Sequence, residues 1–95
     1  MHALFIEVNA NESHVEAARE YLPAKAVPMA RDAGAKAGYW LAPQGGRGMS
    51  VMVFDSEEAA SRAAGNFEIG KPPGPDAPDV TVKTIEVREV LASLE

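Results

Sequence analysis

Gly38-Tyr39-Trp40-Leu41, a glycine-rich turn, Met49-Ser50-Val51-Met52-Val53-Phe54 and then Asp55-Ser56-Glu57-Glu58-Ala59-Ala60 read as a strand, a hairpin loop, a second strand and a capped helix. Met49, Val51 and Val53 fall on one face of the second strand; Ser50, Met52 and Phe54 fall on the other. Period-two alternation of this kind marks a strand, and apolar residues on both sides call for a cover on both. Asp55, with Glu58 three residues on, has the spacing of a helix cap, and acids near a helix start suit its dipole. The stripe Ala59, Ala60, Ala63 and Ala64 lets that helix, about 56–67, lie close to a sheet, with Phe67 anchoring its end.

Upstream, residues 2–9 alternate His2, Leu4, Ile6, Val8 against Ala3, Phe5, Glu7, Asn9, which is a further strand. Ser13 and Glu16 have capping-box spacing, and Val15, Ala18, Leu22, Ala26 and Met29 recur at helical intervals. Pro23 and Pro28 each delete an intrahelical hydrogen bond, which predicts a kink near Pro23 and a break or a short second segment around Pro28. Gly34 is the stop. Residues 35–42 form the second strand, and Pro43-Gln44-Gly45-Gly46-Arg47-Gly48 the hairpin loop. That loop lacks the lysine and following helix of a phosphate cradle. Residues 70–79 hold four of the seven prolines and read as a surface connection. The last strand, 80–91, carries Glu86, Arg88 and Glu89, charges that suit a sheet edge.

The resulting order is β-α-β-β-α-β in one domain, 1–95. Two crossovers on one antiparallel sheet give a ferredoxin-like α+β fold with four strands and helices on one face. A domain of this size buries only about 60–65% of its unfolded surface, so a second chain sharing an apolar face is a natural source of further burial.

Composition narrows the function classes. There is no cysteine, which removes disulfides, thiolate metal sites and cysteine nucleophiles. The start Met1-His2-Ala3-Leu4-Phe5-Ile6-Glu7 lacks the basic region of a signal peptide, and no run approaches the ~20 apolar residues of a membrane span. A cytoplasmic location fits. The net charge of −5 disfavours nucleic acid, whose binding depends on neutralised phosphates. His2 and His14 have no metal-ligand spacing, and each reads as a solvated or packing residue.

Arg47-Gly48-Met49-Ser50-Val51-Met52-Val53-Phe54 superficially resembles the octapeptide of RNA-recognition modules, and Leu4-Phe5-Ile6 its shorter partner motif. Met49 and Val51 stand where that family places rings to stack on bases, which argues against RNA. The whole chain more closely resembles the dimeric α+β barrel superfamily, in particular the small domains similar to antibiotic biosynthesis monooxygenases. The residues carrying this are Gly38-Tyr39-Trp40, the run Ser50 to Ala60, and the late strand Ile85-Glu86-Val87-Arg88-Glu89-Val90. The resemblance implies a homodimer in which two open sheet faces close a barrel, with Phe5, Met49, Val51 and Val53 on the buried dimer face.

Activity is more open, because the family holds cofactor-independent oxygenases, haem-degrading enzymes, isomerases and members without an assigned reaction. Its haem-degrading branch uses an asparagine on the first strand, a tryptophan on a later strand and a histidine on the second helix. Asn9 matches the first position and Trp40 lies on a strand, but the second helix has no histidine. Haem chemistry is therefore disfavoured, and no cofactor or metal is expected. A cavity between sheet and helices is expected to be lined by Asn9, Tyr21, one of Tyr39 and Trp40, Phe54 and Phe67, and to suit a planar ligand. Two readings follow. One is a cofactor-independent oxygenase or isomerase acting on a small aromatic or polyketide-like substrate. The other is a noncatalytic dimeric ligand-binding or accessory protein.

Overall fold

The computed structural model describes residues 1–74, 77 and 79–94; Pro75, Asp76 and Pro78 of the expected surface connection lie outside the described residues, as does Glu95. Four antiparallel strands, β1 (His2–Asn9), β2 (Ala37–Gln44), β3 (Arg47–Phe54) and β4 (Thr81–Glu89), form one sheet in the order β2-β3-β1-β4. The helical elements are α1 (Val15–Tyr21), α2 (Val27–Asp32) and α3 (Glu57–Ala64). This α+β architecture is compatible with the ferredoxin-like arrangement. The charged strand β4 is an edge, as its Glu86, Arg88 and Glu89 predict.

Strand pairing decides which side chains meet the helices. Leu4 lies opposite Met52 and Val87, and Ile6 opposite Ser50 and Ile85. Leu4, Ile6, Met52, Phe54 and Val82 are buried on this face together with Ala60 and Ala63 of α3. Small side chains let α3 sit against the sheet, as the alanine stripe predicts. The opposite face, with Phe5, Met49, Val51 and Val53, is only half-buried and no helix covers it.

Local details differ from the sequence reading for identifiable reasons. The hairpin turn is two residues, not six: Gly45 (φ 63°) and Gly46 (φ 79°) both take positive angles, and β2 and β3 run up to them on either side. That is the backbone a tight hairpin requires. Pro43 is tolerated inside β2 because β2 is an edge strand whose register slips between Leu41 and Gln44. The cap of α3 is Ser56, whose hydroxyl accepts from the Ala59 N–H at 3.1 Å, whereas Asp55 pairs with Lys36 at 3.6 Å. At the first helix the cap is Asn11, accepting from Ser13 N–H at 2.8 Å ahead of a 3-10 turn over Glu12–His14; Glu16 turns to Arg19.

Pro23 falls in a π-helical turn, and Pro28 opens α2, the short second segment expected there. Between α1 and α2 the chain widens into a π-helical turn, Leu22–Ala26, in which the Val27 N–H bonds the Leu22 carbonyl. Pro23 and Pro28 lack N–H groups, so the ordinary helical bonds they would donate are missing at both ends of this turn. A single wide turn between them keeps the helical run continuous to Asp32.

Candidate functional site

A cavity of about 340 Å³ lies between the sheet and the α1–α2 run. It exists because that run is held away from the sheet. Of its side chains only Ala30 is buried, at 9% exposure, and α1 and the π turn contribute none. The alanines Ala18 and Ala26 point short side chains at the gap, while α3 packs closely beside it.

Ile6, Met52, Phe54 and Trp40 line the sheet side, Tyr21 and Leu22 the helix side, and Phe67 one end. Tyr21, Trp40, Phe54 and Phe67 of the expected cavity residues are thus brought together. Asn9 and Tyr39 are not. Asn9 is exposed at the end of β1 and donates from Nδ2 to Thr81 Oγ1 at 3.3 Å. Tyr39 is 69% exposed on the open face, opposite Val51. The register resolves the choice between the two neighbouring aromatics: Trp40 pairs with Ser50 and Tyr39 with Val51, and alternate strand residues face opposite sides. The Trp40 ring folds over Gly38, where a Cβ would come within 3.1 Å of it.

The described residues of the proline-rich connection line one side. Pro73, Ala77 and Val80 line the cavity, and Gly74 meets the Tyr21 hydroxyl so closely that a Cβ there would lie 2.6 Å from it. The connection starts from a firm anchor, with Gly70 N–H to Val82 O and Val82 N–H to Lys71 O, both 2.8 Å. The far end is tied by the hairpin tip: Ala10 N–H donates to Gly46 O at 3.0 Å and Gly45 N–H to the Glu12 carboxylate at 2.8 Å.

The wall also carries the polar residues His14, Ser50, Asn66 and Asp79, none of which sequence reasoning placed in the site. Ser50 is 8% exposed, sits between Ile6 and Trp40, and lines the cavity. His14, half-buried at the end of the 3-10 turn, has a buried Nδ1 with no partner. The available signal was a serine in the middle of an apolar strand face. Among the described residues no cluster of ligating side chains could hold a metal ion, and no helix is long and apolar enough to cross a membrane.

The open face divides into halves. Phe5, Val51 and Val53, with exposed Tyr39 and Leu41 beside them, form an apolar half. The other half is polar: Glu7 is nearly buried, receives the Thr84 hydroxyl at 2.9 Å, pairs with Arg47, and lies 4.0 Å from Lys83. The hydrogen bonds from Thr84 and Arg47 hold the Glu7 carboxyl below its ordinary value near 4.5, against the opposing effect of desolvation. A lowered folded value means that this stabilisation is present above the unfolded pKa and lost as pH falls through the folded one. Glu7→Gln should therefore be less stable than the parent at neutral pH, and should lose less stability on acidification. Urea midpoints between about pH 7 and pH 3 measure this, and parallel pH profiles would refute it.

Comparison with protein-family models, curated proteins and solved structures returned no match.

Proposed function

We propose that the protein is a homodimeric binding domain for a small aromatic or polyketide-like molecule, held between the sheet and the α1–α2 run. The observation that carries this is the 340 Å³ apolar cavity walled by Tyr21, Trp40, Phe54 and Phe67. Small-molecule sites typically occupy about 300–1,000 Å³ and are lined mainly by apolar and aromatic groups, with a few polar ones. A planar molecule of two or three fused rings suits the lower end of that range. The apolar half of the open sheet face supports the dimer, because contiguous apolar patches mark interaction surfaces.

The resemblance to antibiotic biosynthesis monooxygenases adds cofactor-independent oxygenation or isomerisation as the chemistry of the bound molecule. In such an oxygenation molecular oxygen is the oxidant: one atom converts a ring CH₂ of an anthrone-type substrate to a carbonyl, and the other leaves as water. The binding and catalytic readings share the cavity and separate on turnover.

Saturating anthrone, at about 100 times its dissociation constant, should stabilise the protein by about 2.7 kcal/mol and raise its thermal midpoint by on the order of 10 °C. Oxygen uptake with anthraquinone formation would identify the catalytic case; a shift without product would identify the binding case. Ala18→Phe should fill the cavity, abolish the shift and leave the protein folded. An unchanged midpoint across anthrone, 1-naphthol and naphthalene would refute the cavity reading.

A further inference from the structure

We infer that the ligand of this cavity is an aromatic cation: its rings lie between the sheet and the α1–α2 run, and a basic nitrogen on it meets Asp79 at the rim. This rests on the cavity reading above and names the charge that the cavity selects. Five polar side chains, apart from the indole of Trp40, reach the wall: His14, Tyr21, Ser50, Asn66 and Asp79. Only Asp79 among them is a carboxylate, and none of the chain's nine lysines and arginines lines the cavity. An anionic ligand would leave water, meet a carboxylate and find no lysine or arginine to pair with. Desolvation strongly opposes that arrangement.

Asp79 belongs to the connection that lines one side of the cavity. There the Ala77 N–H donates to Gly74 O at 3.3 Å and the Val80 N–H to Ala77 O at 3.2 Å, and Gly74 meets the Tyr21 hydroxyl. The carboxylate thus shares its side of the cavity with the hydroxyl end of Tyr21. Asp79 is exposed and has no ion pair among the described residues. An ammonium group bound there would be its counter-charge, and at the rim would keep part of its own hydration. The rings of Tyr21, Trp40, Phe54 and Phe67 add the attraction of aromatic groups for a cation, which is greatest for tryptophan. The net charge of −5 draws cations from further away. The apolar body of such a ligand occupies the cavity and its charge the rim.

Three naphthalenes of similar shape test this: the cation 1-naphthylmethylamine, the uncharged 1-ethylnaphthalene and the anion 1-naphthylacetate. Titrations followed through naphthalene fluorescence are made at about pH 7.5, where histidine side chains are ordinarily uncharged. The parent protein should bind the amine about tenfold more tightly than 1-ethylnaphthalene, and the acetate at least about tenfold more weakly. Asp79→Asn keeps a turn-forming residue and removes the charge. It should bring the amine within about threefold of 1-ethylnaphthalene and leave 1-ethylnaphthalene itself unchanged. A preference that survives in this variant would come from the overall charge and would overturn the inference. Ala18→Phe, by filling the cavity, should abolish binding of all three; amine binding that persists there would also overturn it. Equal affinities of the parent for the amine and 1-ethylnaphthalene would do the same while leaving the cavity reading intact. Absence of binding by all three would sink both.

Discussion

Val51→Glu should convert the proposed dimer, of twice the 10.1 kDa chain mass, to a monomer, read by light scattering with size-exclusion chromatography. Val51 lies between Phe5 of β1 and Tyr39 of β2, at the centre of the apolar half of the open face. In a face-to-face dimer a carboxylate there would be buried twice, once from each subunit, with only apolar neighbours. Burying an unpaired charge costs several kcal/mol for each ion, enough to abolish an interface of ordinary affinity. The same substitution is mild for an isolated chain, because the side chain lies on a face that no helix covers. Strand propensity changes it by less than about 1 kcal/mol. The variant should therefore keep its circular dichroism spectrum and lose half its mass. A parent protein that is already monomeric, or a variant that remains dimeric, would remove the second copy from the proposal.

Phe54→Ala should have the largest effect on stability of any single truncation. Phe54 has 0% exposure and closes the end of β3 against the core that Leu4 and Ala60 share. Removing a buried aromatic ring costs about 3–5 kcal/mol, through lost burial and the void left behind. Domains of this size are stable by only about 5–15 kcal/mol, so the loss is a large fraction of the total. Thermal unfolding should move down by at least about 12 °C. Val53→Ala, one residue earlier on the open face, provides the contrast and should cost far less. Equal effects at the two positions would contradict the assignment of faces along β3.

The fold was legible where it depended on periodic patterns. The alternation in β3 correctly separated Ser50, Met52 and Phe54, which face the helices, from Met49, Val51 and Val53, which do not. The charges in β4 correctly placed it at an edge. Capping was less legible, because Asp55 and Ser56 are both competent caps and the choice depends on a tertiary partner, Lys36, that draws Asp55 away. Likewise, glycine content predicted the hairpin but not its length, which follows from the two positive φ angles at Gly45 and Gly46. The faces of Tyr39 and Trp40 required a register, and register belongs to the partner strand. The cavity was legible only as a set of aromatics. Its volume comes from the distance between a helix and a sheet, and no local pattern encodes that distance. Ser50 and His14 acquire meaning only once that space exists.

The central position of β1 has a consequence for how the chain reaches this structure. Its two neighbours are residues 47–54 and 81–89, so β1 waits for partners far along the chain. Loop closure over such separations precedes the reward of pairing, and folds dominated by distant contacts assemble slowly. On the ribosome, the apolar segment Leu4-Phe5-Ile6 emerges before either flanking strand and stays without one of them until residues 81–89 have been made. Completion of the sheet therefore waits for the synthesis of β4. In the interval that segment is the part of the nascent chain most dependent on protection from other chains.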